Sequence, residues 1–266
     1  MINKFEEVVS KFYNTIGWET NDGITEDARR WEDLRPVASK YVNKCRLRVL
    51  KHIPPKGDKI LDMASGPIQY PEYLIYSENF NKRYCVDLSA SALAEAEKKI
   101  GNHGVFLQGS FLDIDMDENY FDCAVSLHTI YHIDKDMQEN AVRKLLYVTK
   151  PGQPVIIIYS NPRTLISLPV RLLRMAKVLL IMEKTSNTDS ELYFYQHPNE
   201  WWQRFNDISN IAMYPWRSFA ANFTKKFVPN NKFGKKILSV LFSFEEAFPD
   251  LFVKYFQYNM VVLRKK

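Results

Sequence analysis

Glycine is scarce in this chain, nine residues in 266, and cysteine scarcer still. The three cysteines, Cys45, Cys85 and Cys123, show no paired spacing, which excludes a disulfide framework and a cysteine zinc site and reads as reduced, buried packing. No apolar run is long and uncharged enough for a membrane span: the most hydrophobic stretch, Thr164 to Met182, is interrupted by Pro169, Arg171, Arg174 and Lys177. Internal repeats and low-complexity tracts are absent. The opening MINKFEEVVSKFY is amphipathic and carries acids, so neither a signal nor a transit peptide is expected, and the cytoplasm is the expected compartment.

What is present is a chain 46% hydrophobic and 14% aromatic, enough for one substantial core with appendages. Charge is uneven. Residues 161–266 hold 16 Lys/Arg against 8 Asp/Glu, while acids outnumber bases before them. A basic half of this kind suits an anionic substrate or a membrane surface, or is simply a solvated face.

The stretch from Lys59 to Ser89 organises the rest. Ile60 and Leu61 form a short apolar run ending on Asp62; Ala64, Ser65 and Gly66 make a small-residue turn, and a helical segment is expected next. A second apolar run, Tyr84 to Val86, ends on Asp87 and leads into a helix from Ser89 to Ile100. In a doubly wound sheet two such strand ends lie side by side, so the turn can hold a nucleotide-like ligand while Asp87 accepts hydrogen bonds from ribose hydroxyls. Adenosine binding is the chemistry implied.

Helices are predicted over Asn3–Ile16, about Pro36–His52 and Asp134–Thr149, and strands over Val105–Gln108, Phe121–Leu127 and Val155–Tyr159. Short strands alternating with helices between about residues 58 and 160 argue an α/β sheet with right-handed crossovers. Beyond Pro162 the rhythm changes. The spacing of its cations makes Thr164–Met182 amphipathic, able to lie on a membrane surface or to cap an active site. Tyr193, Phe194, Tyr195, His197, Trp201, Trp202 and Phe205 form an aromatic cluster that can wall a substrate pocket or fill a cap. Two late strands, Ile208–Tyr214 and Tyr258–Leu263, flank a basic loop, Lys225–Lys236, and a helix over Ile237–Phe248.

The order of these pieces resembles the class I S-adenosylmethionine-dependent methyltransferases. The likeness rests on Leu61-Asp62-Met63-Ala64-Ser65-Gly66-Pro67 after the first strand, Asp87 after the second, Gly109-Ser110 after the third, the FDCAVSLHTIYHI run at the fourth, and Lys150-Pro151-Gly152 before the fifth. It implies a Rossmann-like, doubly wound, seven-stranded sheet, mostly parallel with an antiparallel last strand. An N-terminal helical cap (residues 1–35), a core (36–162), an acceptor lid inserted between strands five and six (163–205) and a C-terminal part (206–266) complete the expected organisation. Donor contacts are implied for Asp62, Ala64, Gly66, Asp87, Leu88, Ser110, Phe111, Leu127 and Tyr13, with S-adenosylmethionine as cosubstrate and S-adenosylhomocysteine as product. His132 is implied as a general base, with His128 and Tyr131 beside it; Trp18, Tyr195, His197 and Trp201 are expected to meet a small-molecule acceptor.

The chain departs from that pattern in three places. Ala64 and Ile68 stand where the family has glycines around Gly66, and isoleucine implies a different course for the turn. Ser110 replaces an acid often found near the adenine amine. Asp113, Asp115 and Asp117 alternate like a calcium loop but lack its glycine and closing glutamate, so no metal is expected. No Asn-Pro-Pro-Tyr motif follows the fourth strand, which disfavours nucleic acid. A nicotinamide-dependent oxidoreductase and a degenerate, membrane-bound member of the fold are the alternatives.

Overall fold

The computed structural model describes residues 4–165 and 192–266. Helix α1 (Lys4–Phe12) runs into a π-turn (Tyr13–Gly17), followed by a two-residue hairpin, Thr20–Asn21 with Ile24–Thr25, and by α2 (Glu26–Trp31), α3 (Pro36–Leu47) and a 3₁₀ turn (Arg48–Lys51). Then come β1 (Gly57–Met63), α4 (Pro71–Ile75), β2 (Phe80–Asp87), α5 (Ala90–Ile100), β3 (Gly104–Gln108), β4 (Cys123–Leu127), α6 (Gln138–Val148) and β5 (Pro154–Ser160). After a 3₁₀ segment (Asn199–Phe205), β6 (Ser209–Arg217), α7 (Ala221–Phe227), α8 (Lys232–Ala247), α9 (Pro249–Tyr255) and β7 (Tyr258–Lys265) complete the chain. The hydrophobic segment Thr164–Met182, but for its first two residues, and most of the expected lid lie outside the described residues.

Seven strands form one sheet in the order β3-β2-β1-β4-β5-β7-β6. Strand β7 runs antiparallel to both β5 and β6, and the pairings among the first five strands are parallel. All seven residues of β5 are buried, as a central parallel strand with both faces covered requires. Val155 and Ile157 point to one core with Leu61, Ala124, Leu145 and Trp202. Ile156 and Ile158 point to the other, with Ile60, Val125, Tyr76 and Trp216. Each such isoleucine stabilises the fold by about 1.5–3 kcal/mol.

Polar side chains pin the ends. Ser89 caps α5 by accepting from the Ala92 N–H, and Gly101 closes that helix at positive φ. Asp122, the acid of the FDCAVSL run, accepts from the backbone N–H groups of Asp58 (2.8 Å) and Lys59 (3.0 Å) and pairs with Lys150. It ties β4 to the start of β1 at the edge remote from the site.

Two expectations are corrected. The region Lys225–Lys236 is no loop: α7 extends to Phe227 and α8 begins at Lys232, because the Asn231 carboxamide accepts from the N–H groups of Phe233 and Gly234. The segment after Gly66 becomes helical only at Pro71, whose fixed φ suits the first helical position.

Candidate active site

The register sets Met63 of β1 beside Val86 of β2 and Ser126 of β4, with Asp87 beside Gln108 of β3. Four carboxyl-terminal strand ends therefore open side by side at the point where the strand order reverses, the usual ligand crevice of such a sheet. A cavity of about 780 Å³ occupies it, within the range of small-molecule pockets.

The turn after β1 crosses to β2 through the Ser65 N–H, which donates to the Val86 carbonyl (3.2 Å). Asp87 receives the Gly66 N–H on one oxygen and the Ser89 N–H on the other, both at 2.8 Å. Burial pushes the Asp87 carboxyl up to about 6, and the donated backbone N–H groups of Ser89, Gly66 and Leu88 moderate that rise.

Ala64, Gly66 and Ile68 all adopt positive φ, at 57°, 52° and 48°. The isoleucine thus does not redirect the turn; it takes the left-handed conformation a glycine would, at a cost of about 1–2 kcal/mol. Its side chain is buried against Cys85, Leu93 and Ala96, and that contact offsets the strain. Gly66 has a second constraint, since a Cβ there would stand 2.9 Å from the Trp18 ring. Trp18 in turn stacks on Tyr13 at 4.9 Å, so both aromatics of the N-terminal segment lie over the turn and line the cavity.

Asp62 reaches the cavity wall, yet its carboxylate is held by the buried guanidinium of Arg83 through Nη2 and, at 3.1 Å, through Nε. Arg83 also donates to the Tyr73 carbonyl. Asp62 thus lines the cavity while paired inside the sheet with Arg83.

At the β3 end, Ser110 donates its hydroxyl to Glu6 of α1 (2.5 Å). An acid is thus present where the sequence motif lacks one, delivered by the opening helix. Leu88, Phe111 and Leu127 add apolar lining.

The two histidines after β4 differ. His128, at φ 61°, packs between Trp216 and Tyr258 and shares a hydrogen bond with the Tyr131 hydroxyl (3.0 Å). Burial first, then nearby Arg217, depresses its basicity far below the usual range. His132 sits in a 3₁₀ turn with Nδ1 2.8 Å from the Tyr193 carbonyl. Since a carbonyl can only accept, Nδ1 carries the proton and Nε2 keeps its lone pair. Burial lowers this imidazole to about 4, against the opposing pull of the Tyr193 carbonyl, so the ring is neutral at pH 7.

Tyr195, His197 and Trp201, expected around an acceptor, do not line this cavity. Trp201 is buried in the main core, stacked on Tyr159 and parallel to the His197 ring at 4.5 Å. The Tyr195 side chain faces outward while its N–H donates to the Tyr131 carbonyl (2.8 Å). Phe194 and Leu192 reach the cavity instead.

The sequence reading missed Glu6, Asp27, Gln69, Arg217 and Tyr258, all cavity-lining. Asp27 is pushed up to about 6 by burial, eased by hydrogen bonds from Gln69 and Tyr13. For Glu6 a signal existed: it shares a helical face with Val9 and Tyr13, at spacings of three and seven.

A family model described as a methyltransferase domain matches residues 61–157. No curated protein sequence matches the chain. Among solved structures, DhpI in complex with SAM and HEP is similar over 99% of this chain and 99% of its own, at 13% identity and a TM-score of 0.59. Geranyl diphosphate C-methyltransferase from Streptomyces coelicolor A3(2) is similar over the whole of both chains, at 14% identity and a TM-score of 0.56. A SAM-dependent methyltransferase from Archaeoglobus fulgidus is similar over 85% of this chain and 94% of its own, at 13% identity and 0.53. The central strands thus match a methyltransferase-domain model, and the whole sheet has the fold of these solved structures.

Proposed function

We propose that the cavity transfers a methyl group from S-adenosylmethionine to an oxygen or nitrogen of a small-molecule acceptor, with His132 as the proton-accepting base. The observation that carries this reading is that one cavity is lined by both the Gly66–Asp87 turn and His132, whose Nδ1 is held by the Tyr193 carbonyl. When bound, the cosubstrate supplies a methyl group already activated by its sulfonium. The protein's task is then to orient the acceptor, exclude water and take a proton.

Each residue has a role in this reading. Asp87 accepts the two ribose hydroxyls of the donor. Ala64 and Gly66 let the backbone approach it, Leu88, Phe111 and Leu127 enclose its adenine, and Ser110 with Glu6 meets the adenine amine. Of the cavity's carboxylates, Asp62 and Glu32 are paired with Arg83, Arg46 and Arg217, while Glu6, Asp27 and Asp87 face it with Arg30 the other lining guanidinium; that acidic excess favours a cationic donor. Tyr13 and Trp18, carried by residues 1–35, act as a cap that shuts out water. His128, neutral and held by Tyr131, supports the acceptor wall and does not abstract the proton. Leu192 and Phe194 complete the acceptor side.

DhpI with HEP and the geranyl diphosphate enzyme with its ligand support the small-molecule class. The test is transfer of labelled methyl from S-adenosylmethionine to a panel of small alcohols and amines. Turnover on at least one of them, lost in His132→Ala with donor binding intact, is the expected result. Wild-type turnover in His132→Ala removes the base, and no donor binding by the native protein removes the function.

A further inference from the structure

Far along the chain from the strand ends that hold the donor turn, α8 carries an apolar stripe that the fold leaves uncovered. Its inner face, Gly234, Leu238 and Glu245, is buried, with Leu241 and Phe242 packed beside it on α3. A second row runs along its outer side at spacings of four, three, four and four: Phe233, Ile237, Val240, Phe244 and, just past the helix, Phe248. These side chains are 65%, 36%, 46%, 51% and 54% exposed. Phe227 on α7 and Leu251 on α9 are exposed as well, at 59% and 49%. Single exposed hydrophobics are ordinary; seven within three consecutive helices and their junction, four of them in register on one helix face with Phe248 just beyond it, are not.

The charges around the stripe are mostly basic, with Asp250 at the start of α9 the exposed exception. From Ser218 to Phe244 the chain has five lysines, Lys225, Lys226, Lys232, Lys235 and Lys236, and no acid. The helix's two acids are already paired: Glu245 is buried against Arg48, Tyr41 and Ser218, and the partly exposed Glu246 pairs with Arg48 and Lys51. A second copy docking here would set five lysines against five lysines, with the exposed Asp250 of α9 as the one acid of these helices without an ion pair. An anionic lipid surface supplies both things the face lacks, an apolar layer for the phenylalanines and negative headgroups for the lysines.

We propose that α8, flanked by α7 and α9, docks the protein on an anionic bilayer, with Phe233, Ile237, Val240, Phe244 and Phe248 entering the acyl boundary and Lys232, Lys235 and Lys236 contacting the headgroups. Helix α7 belongs to both surfaces, because Ala221 and Asn222 line the cavity while Phe227 faces outward at its other end. This docking does not depend on which acceptor is methylated or on methyl transfer at all.

The experiment is co-sedimentation of the full chain with vesicles of phosphatidylcholine alone and of phosphatidylcholine mixed with phosphatidylglycerol. Native protein is expected to pellet with the mixed vesicles, to pellet less as salt is raised, and to stay in the supernatant with phosphatidylcholine. Lys232→Gln with Lys235→Gln and Lys236→Gln should weaken binding by about 100-fold. Phe233→Ser with Phe244→Ser should abolish it, with an unchanged circular dichroism melt certifying the fold. Native protein that never pellets overturns the proposal, as does a phenylalanine variant that still pellets. Dimerisation in sedimentation velocity that the same phenylalanine variant abolishes, without vesicle binding, assigns the face to a second copy and overturns it too.

Discussion

On one side of the cavity, Gly66 and Asp87 are fixed by backbone hydrogen bonds between two adjacent strand ends, 21 residues apart in sequence. On the other, His132 is oriented by Tyr193, 61 residues away, and the wall around it comes from α2, β6 and the start of β7 through Asp27, Arg217 and Tyr258. The donor wall is made of local geometry, so it survives the replacement of two glycines by Ala64 and Ile68. The opposite wall is made of side chains gathered from across the chain, so under the proposed function it would carry the acceptor specificity and could change without disturbing the sheet.

The largest difference between the walls is expected for His132→Ala. It should slow methyl transfer by about 100- to 10,000-fold while leaving the calorimetric affinity for S-adenosylhomocysteine unchanged; a fall in both would mean that the two sides are not separable. Arg83→Met breaks the pair with Asp62 beneath the donor wall. Stranding a buried carboxylate should cost about 3–5 kcal/mol in urea unfolding, whereas the exposed pair Arg163–Glu200, removed by Arg163→Gln, should move the same curve negligibly.

Acidity sharpens the contrast. Asp87 rises from an ordinary value of 3.8 to about 6 in the folded protein, so it is ionised above that pH and protonated below. A ribose is better accepted by the carboxylate, and donor affinity should therefore fall as pH drops through about 6. Asp27 titrates in the same range; Asp27→Asn should preserve the fall if Asp87 causes it. His132, pushed down to about 4, stays neutral throughout that window and should add nothing to it. The smallest effect is expected for Ala64→Gly, which relieves a positive φ and should raise stability by about 1 kcal/mol, read from thermal unfolding with no change in turnover.

The pairing of the Gly66 turn with Asp87 was legible in the sequence because a strand, a small-residue turn and an acid after the next strand are local signals with known spacing. Even there, Ile68 misled: its side chain argued for a redirected turn, and only its burial against Cys85, Leu93 and Ala96 explains why it tolerates a glycine's backbone. The acceptor wall was mostly illegible. Glu6 and Asp27 sit in amphipathic or polar stretches whose depth depends on what packs over them. The aromatic run from Tyr193 to Phe205 gave the converse error, because aromatic content does not distinguish a pocket wall from a core; Trp201 went to the core with Tyr159, and Phe194 to the cavity. Helix α8 was read short because Pro229, Asn230 and Asn231 signal a turn, while Asn231 caps a helix that begins at once.

The most direct measurement is a calorimetric titration of S-adenosylhomocysteine into the native protein and into Asp87→Ala. Saturable binding by the native chain and a loss of about 100-fold or more in the variant, the equivalent of two charge-assisted hydrogen bonds, is the predicted pair of results. Equal affinity in both proteins would contradict the assignment of the Gly66–Asp87 turn as the donor grip.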